Sequence, residues 1–293
     1  MSLVVRRLLP GDEPAVRAFL RPRVDSSLFL LGNLRAAGLE DTGAAYSATW
    51  VAAFDGREIA GLAAYCWNGV LLLQAPRALP RLAHEAVSAS GRPLAGLSGP
   101  RAQVVEARRA LGLDGARAAL DHEAELFALG LDALAVPDPL ARGDVACGPP
   151  VEEELPLLSA WRVAYAVETL GAVPGTALRA TCSEEVARLV AEGNAFVLRV
   201  SGRPGAFSGF NARLQEVVQV GGVYTPPELR GRGHGRAVVA GSLLAARAGG
   251  VERAVLFTER DNAPARRAYA ALGFRVVGDY GMLLLETPRP AVR

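Results

Sequence analysis

The chain has 293 residues, 51% of them hydrophobic, and its 32 basic residues, all arginine, nearly balance 30 acidic ones for a net charge of +2. A nucleic-acid-binding surface needs a strong basic stripe, so this balance argues against one. No apolar run approaches the ~20 residues of a membrane-spanning helix, and no signal peptide is evident. The absence of lysine excludes a Schiff base or a lysine general base.

The cysteines and histidines are too scattered to indicate a metal site or a catalytic triad. Cys66, Cys147 and Cys182 are isolated, odd in number and without metal-ligand spacing, which indicates a reduced, cytoplasmic protein. We therefore expect no metal, no nucleic-acid partner and no membrane partner. We expect a monomer or a homodimer.

The hydrophobic pattern of the first half predicts the element order β-α-α-β-β-β-α-β-α-β. Asp55-Gly56 is typical of a hairpin turn between two of these strands. The predicted elements are a strand at 3–7, helices to about Leu20 and at 26–37, strands at 47–54, 58–67 and 70–75, helices near 77–89 and 101–112, and a strand near 123–131.

The second half repeats this order after a Pro/Gly-rich stretch at 135–150 that suits a linker. The pattern predicts an α/β chain, an α+β mixed sheet, of two tandem domains: 1–135, a linker at 136–150, and 151–293. The predicted elements of the second half are helices at 152–170 and 183–192, strands at 195–201, 205–212 and 215–225, a helix from about His234 to Ala248, and a strand at 253–258.

The most informative stretch is Val223-Tyr-Thr-Pro-Pro-Glu-Leu-Arg-Gly-Arg-Gly-His-Gly-Arg-Ala237, in which a strand runs into a glycine-rich turn and then a helix. Glycine permits positive φ angles and a close approach of the backbone to a ligand. The helix directs its free N–H groups and its positive dipole end at the turn. This combination predicts an anion site suited to a pyrophosphate.

Two other phosphate-binding motifs are excluded. A Walker loop needs Gly-Lys-Ser/Thr, and the chain has no lysine. A dinucleotide fingerprint needs Gly-x-Gly-x-x-Gly, but Gly231 and Gly233 are followed by Arg236, and no acidic residue closes a βαβ unit at the expected distance.

An ordered set of motifs follows this loop. After the next strand come Asn262, Tyr269 seven residues later, and Gly273-Phe274. With the Arg230-x-x-Gly233-x-Gly235 loop, these motifs make the C-terminal half resemble the GCN5-related N-acetyltransferase (GNAT) family. The segment from Gly222 to Gly233 resembles one bacterial branch of predicted acetyltransferases in particular. The strong resemblance covers about 222–275 and weakens towards residue 150.

The resemblance implies an acetyl-CoA-dependent N-acetyltransferase in which a primary amine attacks the thioester directly. The strand edge at Val223, Tyr224 and Thr225 would pair with the pantetheine amides, and a backbone N–H there would polarise the thioester carbonyl. Tyr269 would act as general acid and Glu216 as general base. The residues implied to bind the cofactor are Val223, Tyr224, Thr225, Arg230, Gly231, Arg232, Gly233, His234, Gly235, Arg236 and Asn262.

Several of these residues also have a purely structural explanation. Asn262 could cap the next helix, with Pro264 near the first turn, whether or not it also contacts the cofactor. Tyr269 could be a half-buried core aromatic, and Glu216 could be a solvated strand residue. Glu168 could line the acceptor cleft or lie on an exposed helix face. We expect the side chain of His234 to point to solvent. Gly221-Gly222 predicts a bulge that splays the strand from its neighbour.

The two halves are not equivalent in sequence. The strand at Val70–Ala75 is followed by Pro76-Arg77-Ala78-Leu79-Pro80-Arg81, without an Arg-x-x-Gly-x-Gly loop. Because Pro80 also lacks a backbone donor, the first half is expected to be degenerate and to bind no coenzyme A.

The leading hypothesis for function is acetyl transfer to the amine of a small molecule. The alternatives are a protein lysine or N-terminal acetyltransferase, and a coenzyme-A-binding regulatory or scaffold protein without turnover. Fold alone does not identify the acceptor.

Overall fold

The computed structural model describes residues 3–290. These residues form two compact units. The first contains the chain up to Leu126 together with the segment from Gly278 onward, and the second is Phe127–Val277. No helix of the described chain is long and apolar enough to cross a membrane.

The order of helices and strands is the predicted one, although the strands at Leu94–Pro100, Val145–Gly148 and Arg275–Arg289 had no predicted position. The elements are β1 (Val4–Arg7), α1 (Glu13–Leu20), α2 (Val24–Ala37), β2 (Ala48–Asp55), β3 (Glu58–Cys66), β4 (Val70–Gln74), α3 (Leu79–Ser90), β5 (Leu94–Pro100), α4 (Arg101–Ala110), β6 (Ala118–Gly130), α5 (Asp138–Ala141), β7 (Val145–Gly148), α6 (Leu155–Leu170), α7 (Thr176–Ala191), β8 (Ala195–Val200), β9 (Arg203–Arg213), β10 (Val217–Tyr224), α8 (His234–Ala248), β11 (Arg253–Glu259), α9 (Ala263–Ala270) and β12 (Arg275–Arg289). The order β-α-α-β-β-β-α-β-α-β occurs from β1 to β6, and again from β7 to β12.

In the first unit the strands are arranged β1-β2-β3-β4-β5-β12. The β2–β3 hairpin turns at Asp55-Gly56, as predicted, with Gly56 at φ +63°. The strand β12 pairs antiparallel with β5, and its Leu283 and Leu285 belong to the core that α3 and α4 cover. The segment that ends the second repeat therefore completes the first unit.

In the second unit the strands are arranged β6-β11-β10-β9-β8-β7, and β10 pairs parallel with β11. Neighbouring strand residues face opposite sides of the sheet. On one side, Leu198 and Phe210 pack with buried residues of α8. On the other side, Val197 and Phe207 pack with residues of α6 and α7, among them Trp161. The sheet of this unit thus has helices on both faces.

The unit boundaries differ from the domain boundaries expected from sequence. The stretch at 136–150 is not an unstructured linker, because it contains α5 and β7, and β7 pairs antiparallel with β8 from Val145↔Val200 to Gly148↔Val197. Proline and glycine density predicted the linker. The pairing with a strand some fifty residues later is not visible in local composition.

Candidate active site

The central feature of the second unit is a gap between two parallel strands. β10 and β11 pair only from Val217↔Arg253 to Gln219↔Val255, although both strands continue beyond this register. The β10–β9 register shifts between Gly221 and Tyr224, and Gly222 has φ +62°. The predicted bulge is therefore confirmed. It turns the end of β10 away from its parallel neighbour, which leaves an unpaired strand edge.

The glycine-rich loop lies at the end of this strand. Gly231 and Gly233 have φ angles of +76° and +79°, and Gly233 is the N-cap of α8 with no side-chain hydrogen bond. In the described chain, the N–H groups of His234, Gly235 and Arg236 donate to no acceptor. Three backbone donors and a helix dipole therefore point at one place, which is the arrangement that binds phosphate oxygens.

The space beside the loop is open to a ligand. A Cβ atom built on Gly231 would meet no atom within 4 Å, and one on Gly235 would meet only Thr225 Oγ1, at 3.4 Å. The guanidinium of Arg236 folds towards the loop, with Nη2 at 3.9 Å from the Cβ position of Gly233. Arg232 donates to the carbonyl oxygen of Glu228.

Arg230 is held by the protein itself. Its Nη2 donates to Glu168 Oε2 at 2.6 Å, and its Nε donates to the carbonyl oxygen of Thr225 at 2.9 Å. Tyr224 is also turned away from the gap, because its ring packs against Trp161 and its hydroxyl lies 3.3 Å from Glu168 Oε1. Burial, followed by the Glu168 charge, raises the pKa of Tyr224. Only the backbone of Tyr224 is thus available for pairing along the strand edge.

The neighbouring Val223 packs on the opposite face of the sheet, against the core that contains α8. Consecutive residues 223 and 224 thus anchor both faces of the strand end. This fixes the backbone between them while leaving its edge unpaired.

His234 differs from the expectation that its side chain points to solvent. Its Nδ1 is buried without a hydrogen-bond partner and lies 3.7 Å from the Cβ position of Gly205 in β9. Burial, followed by the charge of Arg232, lowers its pKa. The side chain faces the sheet because His234 opens α8, which packs on β9. The neutral imidazole is therefore favoured at this position.

Asn262 caps α9. Its Oδ1 accepts a hydrogen bond from the N–H of Ala265 at 3.1 Å, and the residue is exposed. The structural explanation from sequence is therefore confirmed, and a contact with the cofactor stays a prediction.

Tyr269 lies on α9, partly buried between two aromatic rings. The ring centroids of Phe127 and Phe274 lie 6.3 and 6.0 Å away in edge-on arrangements. Phe274 is a core residue. Burial, followed by the neighbouring Tyr165, raises the pKa of Tyr269 well above its usual value. The phenol therefore keeps its proton at neutral pH, as a general acid requires.

Glu216 does not lie at the gap. It precedes β10 in a bend, where its carbonyl oxygen accepts from the N–H groups of Glu252 and Arg253. Gly222 is six residues further along, which is about 20 Å at the rise of a strand. The structure thus places Glu216 just before the start of β10, away from the gap, so its position does not support the predicted role of general base.

Arg162, which the sequence did not single out, lies beside Gly222 and is held there by two other side chains. Arg162 Nη1 lies 2.9 Å from the Cβ position of Gly222, and Arg162 Nε donates to Glu185 Oε2 at 2.7 Å. The guanidinium also stacks on Tyr165, 5.1 Å from the ring centroid. Arg162 and Tyr165 are three residues apart in α6 and so share one helix face. The three-residue spacing could have shown that Arg162 and Tyr165 share a helix face. It could not show that Arg162 meets Gly222, which lies sixty residues later in the sequence.

The corresponding strands of the first unit show no such gap. β4 and β5 pair in parallel up to Leu72↔Ser98. One residue further on, a Cβ atom on Gly99 would lie 2.6 Å from the carbonyl oxygen of Leu73. The two backbones therefore stay in contact almost to the end of β4. Among residues 3–290, no group of three His, Cys, Asp or Glu side chains could hold a metal ion.

Comparisons with known proteins agree with this geometry. A family model described as "Acetyltransferase (GNAT) family" matches residues 163–274. A search of curated proteins found no match.

Solved structures share the fold over most of the chain. A GCN5-related N-acetyltransferase from Sphaerobacter thermophilus is 17% identical, with a TM-score of 0.59 over 99% of this chain and 97% of its own. One from Kribbella flavida is 19% identical, with a TM-score of 0.56 over 90% and 95%. A tandem GNAT protein from the clavulanic acid biosynthesis pathway is 16% identical, with a TM-score of 0.55 over 96% and 97%.

The predicted mixed α/β fold with two GNAT-like domains is thereby confirmed. Proteins of this family generally use acetyl-CoA and transfer an acetyl group. The family match thus identifies a GNAT acetyltransferase domain at residues 163–274, and the solved structures show that the chain shares the fold of GNAT acetyltransferases.

Proposed function

We propose that the second unit transfers the acetyl group of acetyl-CoA to the primary amine of a small molecule. The observation that carries this proposal is the combination of an unpaired β10 edge with uncapped N–H groups at the start of α8. Coenzyme A has a pyrophosphate, which the free N–H groups can bind, and a chain of amides, which can pair with the strand edge.

The residues of the loop would hold the pyrophosphate. The donors are the N–H groups from Gly231 to Arg236, and the side chain of Arg236 lies beside them. Val223, Tyr224 and Thr225 would offer backbone groups to the pantetheine amides. When bound, acetyl-CoA supplies the acetyl group as a thioester.

Tyr269 would donate its phenolic proton to the departing sulfur. Its raised pKa keeps that proton in place until negative charge develops on the sulfur. A backbone N–H at the bulge beside Gly222 would donate to the carbonyl oxygen on which charge develops. With Glu216 at the far end of β10, we assign removal of the amine proton to solvent water.

The acceptor would enter beside Gly222, where Arg162, Tyr165 and Glu185 meet. This cluster combines a cation, a phenol and a carboxylate in a partly buried place. Such a set can orient a small polar amine by hydrogen bonds and charge.

The test is a screen of amines with acetyl-CoA, read by release of free thiol. We expect amine-dependent release for at least one small amine. Thiol release with lysine-containing peptides alone would favour a protein acetyltransferase. Binding of coenzyme A without turnover on any amine would favour a regulatory protein and contradict the proposal.

A further inference from the structure

We propose that Glu168 is a positioning residue for the coenzyme A loop, and this inference rests on the proposed function of that loop. Glu168 lies in α6, more than fifty residues before the loop in sequence. Its carboxylate holds two residues that flank the corner between β10 and the loop, Tyr224 and Arg230.

The contacts form a closed set. One carboxylate oxygen is 2.6 Å from Arg230 Nη2, and the other is 3.3 Å from the Tyr224 hydroxyl. Arg230 Nε then donates to the carbonyl oxygen of Thr225, the residue that follows β10. The guanidinium also lies 5.7 Å from the centroid of the Tyr224 ring. Helix, strand end and loop are thereby tied together.

Arg230 immediately precedes Gly231, where the loop turns with a positive φ angle. Two glycines and an uncapped helix start make the backbone between Arg230 and His234 intrinsically adaptable. Fixing Arg230 reduces the number of loop conformations before the ligand arrives. Because the loop is already ordered in the free protein, binding of the ligand does not lose the conformational entropy of ordering it.

The same contacts indicate that Arg230 has a structural role in the loop. Its guanidinium already has a carboxylate and a carbonyl as partners, so it acts through the loop backbone and not as a direct ligand of phosphate. An exposed ion pair alone contributes little, and here the side chains are 48% and 41% exposed. The second carboxylate oxygen adds the hydroxyl of Tyr224, which is only 7% exposed and holds one end of the set rigidly.

The first experiment compares Glu168→Gln with the full-length wild type. We expect the dissociation constant of coenzyme A, measured by calorimetry, to rise about three- to tenfold. The kcat at saturating acetyl-CoA should change less than the KM for acetyl-CoA. The control is Glu192→Gln, which breaks the comparably exposed Arg188–Glu192 pair of the same unit and should leave both constants unchanged.

A double-mutant cycle with Arg230→Gln tests the coupling. If Glu168 acts through Arg230, adding Glu168→Gln to Arg230→Gln should weaken binding little further. If instead Glu168→Gln leaves binding unchanged or tightens it while Arg230→Gln weakens it, Arg230 contacts phosphate directly and the inference is wrong.

Hydrogen exchange of the ligand-free protein separates this inference from the proposed function. Glu168→Gln should speed amide exchange in residues 225–236 but not in the β8–β9 hairpin. This readout applies even if the wild type binds no coenzyme A, a result that would contradict the proposed function alone. Unchanged exchange in the loop would overturn the positioning role.

Discussion

The side-chain oxygen of Gln103 accepts a hydrogen bond from the backbone N–H of Ala75 at 2.6 Å, just beyond the end of β4. Ala75 follows β4 as Thr225 follows β10 in the second repeat. A backbone donor at this place in the first unit is therefore already used by the protein. The next residues are also unsuited to binding a pyrophosphate. Ala78 has φ +59° in place of a glycine, and Pro80 in α3 lacks an N–H.

This contact leads to a prediction of stoichiometry. Coenzyme A should bind once per chain, at the second unit, because an unpaired strand edge lies next to free helix donors there, whereas the Ala75 donor of the first unit is already used. Titration calorimetry with the full-length protein measures the ratio directly. A ratio of two would show that the first unit also binds and would contradict its degenerate character.

Substitution of Gly235 should separate ligand binding from folding. Gly235 has no positive φ angle, and a new Cβ would make only an ordinary contact with Thr225. Gly235→Val should therefore change the free energy of unfolding by no more than about 0.5 kcal/mol. It should nevertheless abolish the rise in Tm that acetyl-CoA causes in the wild type, because the side chain blocks approach to the loop.

Gly233→Val should also abolish that rise, but with a loss of stability of about 1–2 kcal/mol from its left-handed backbone. Gly250→Val is the matched control, since Gly250 has φ +88° and open space just beyond the other end of α8. It should lose similar stability and keep the response to acetyl-CoA. An equal response in the Gly233 variant would contradict the loop assignment.

Gly222→Ala should impair turnover. The new methyl group would lie 2.9 Å from Arg162 Nη1, so the guanidinium must move away from the bulge. We expect kcat/KM to fall by about tenfold or more, because a small displacement at a reacting centre is costly. Gly202→Ala is the control, with φ +76° and no neighbouring atom. Equal kinetic effects of the two variants would indicate that only backbone strain matters.

Tyr269→Phe keeps the ring between Phe127 and Phe274 and removes the hydroxyl. On a confirmed acceptor, kcat should fall by roughly 10²-fold, the low end for general acid–base catalysis. The dissociation constant of coenzyme A should change little, because the loop donors are untouched. A variant with the kcat of the wild type would reduce Tyr269 to a packing residue.

Stability should decrease in alkali through buried tyrosines of the first unit. Burial raises the pKa of Tyr280 from 10.0 to about 12, even though Ser98 donates to its hydroxyl. An unfolded tyrosine ionises near its usual pKa, so the unfolded state binds fewer protons than the folded state between these two values. Stability is thus fully present below about pH 10 and declines towards about pH 12.

Thermal unfolding measured from about pH 8 to about pH 12 should show this decline, and Tyr280→Phe should reduce its slope. Burial also raises the pKa of Tyr65 to about 12, so part of the slope should remain in the variant. An unchanged slope would show that ionisation of Tyr280 is not coupled to unfolding.

Features that depend on local backbone chemistry could be predicted from sequence. The loop at Gly231 and Gly233 and the bulge at Gly222 need positive φ angles, and a glycine in the sequence indicates such positions. Helix and strand order also followed from hydrophobic periodicity. The structural alternative for Asn262, a helix cap with Pro264 in the first turn, is also confirmed.

Features that depend on packing or register could not be predicted. Glu216 was expected on the strand that leads to the gap, but it precedes β10, and the point at which β10 leaves β11 is set by their pairing. Arg162 meets Gly222 only after α6 packs on the sheet. Likewise, the pairing partner of β7 lies some fifty residues further along the chain.

The placement of β12 has a consequence for how the protein is made. Leu283 and Leu285 fill the core of the first unit, yet they are translated after every residue of the second. While the ribosome is still working, the first unit exposes the edge of β5 and the apolar surface that these leucines will cover. Its native state therefore becomes accessible only once β12 has emerged, so a prematurely terminated chain would present an open strand edge to chaperones and proteases.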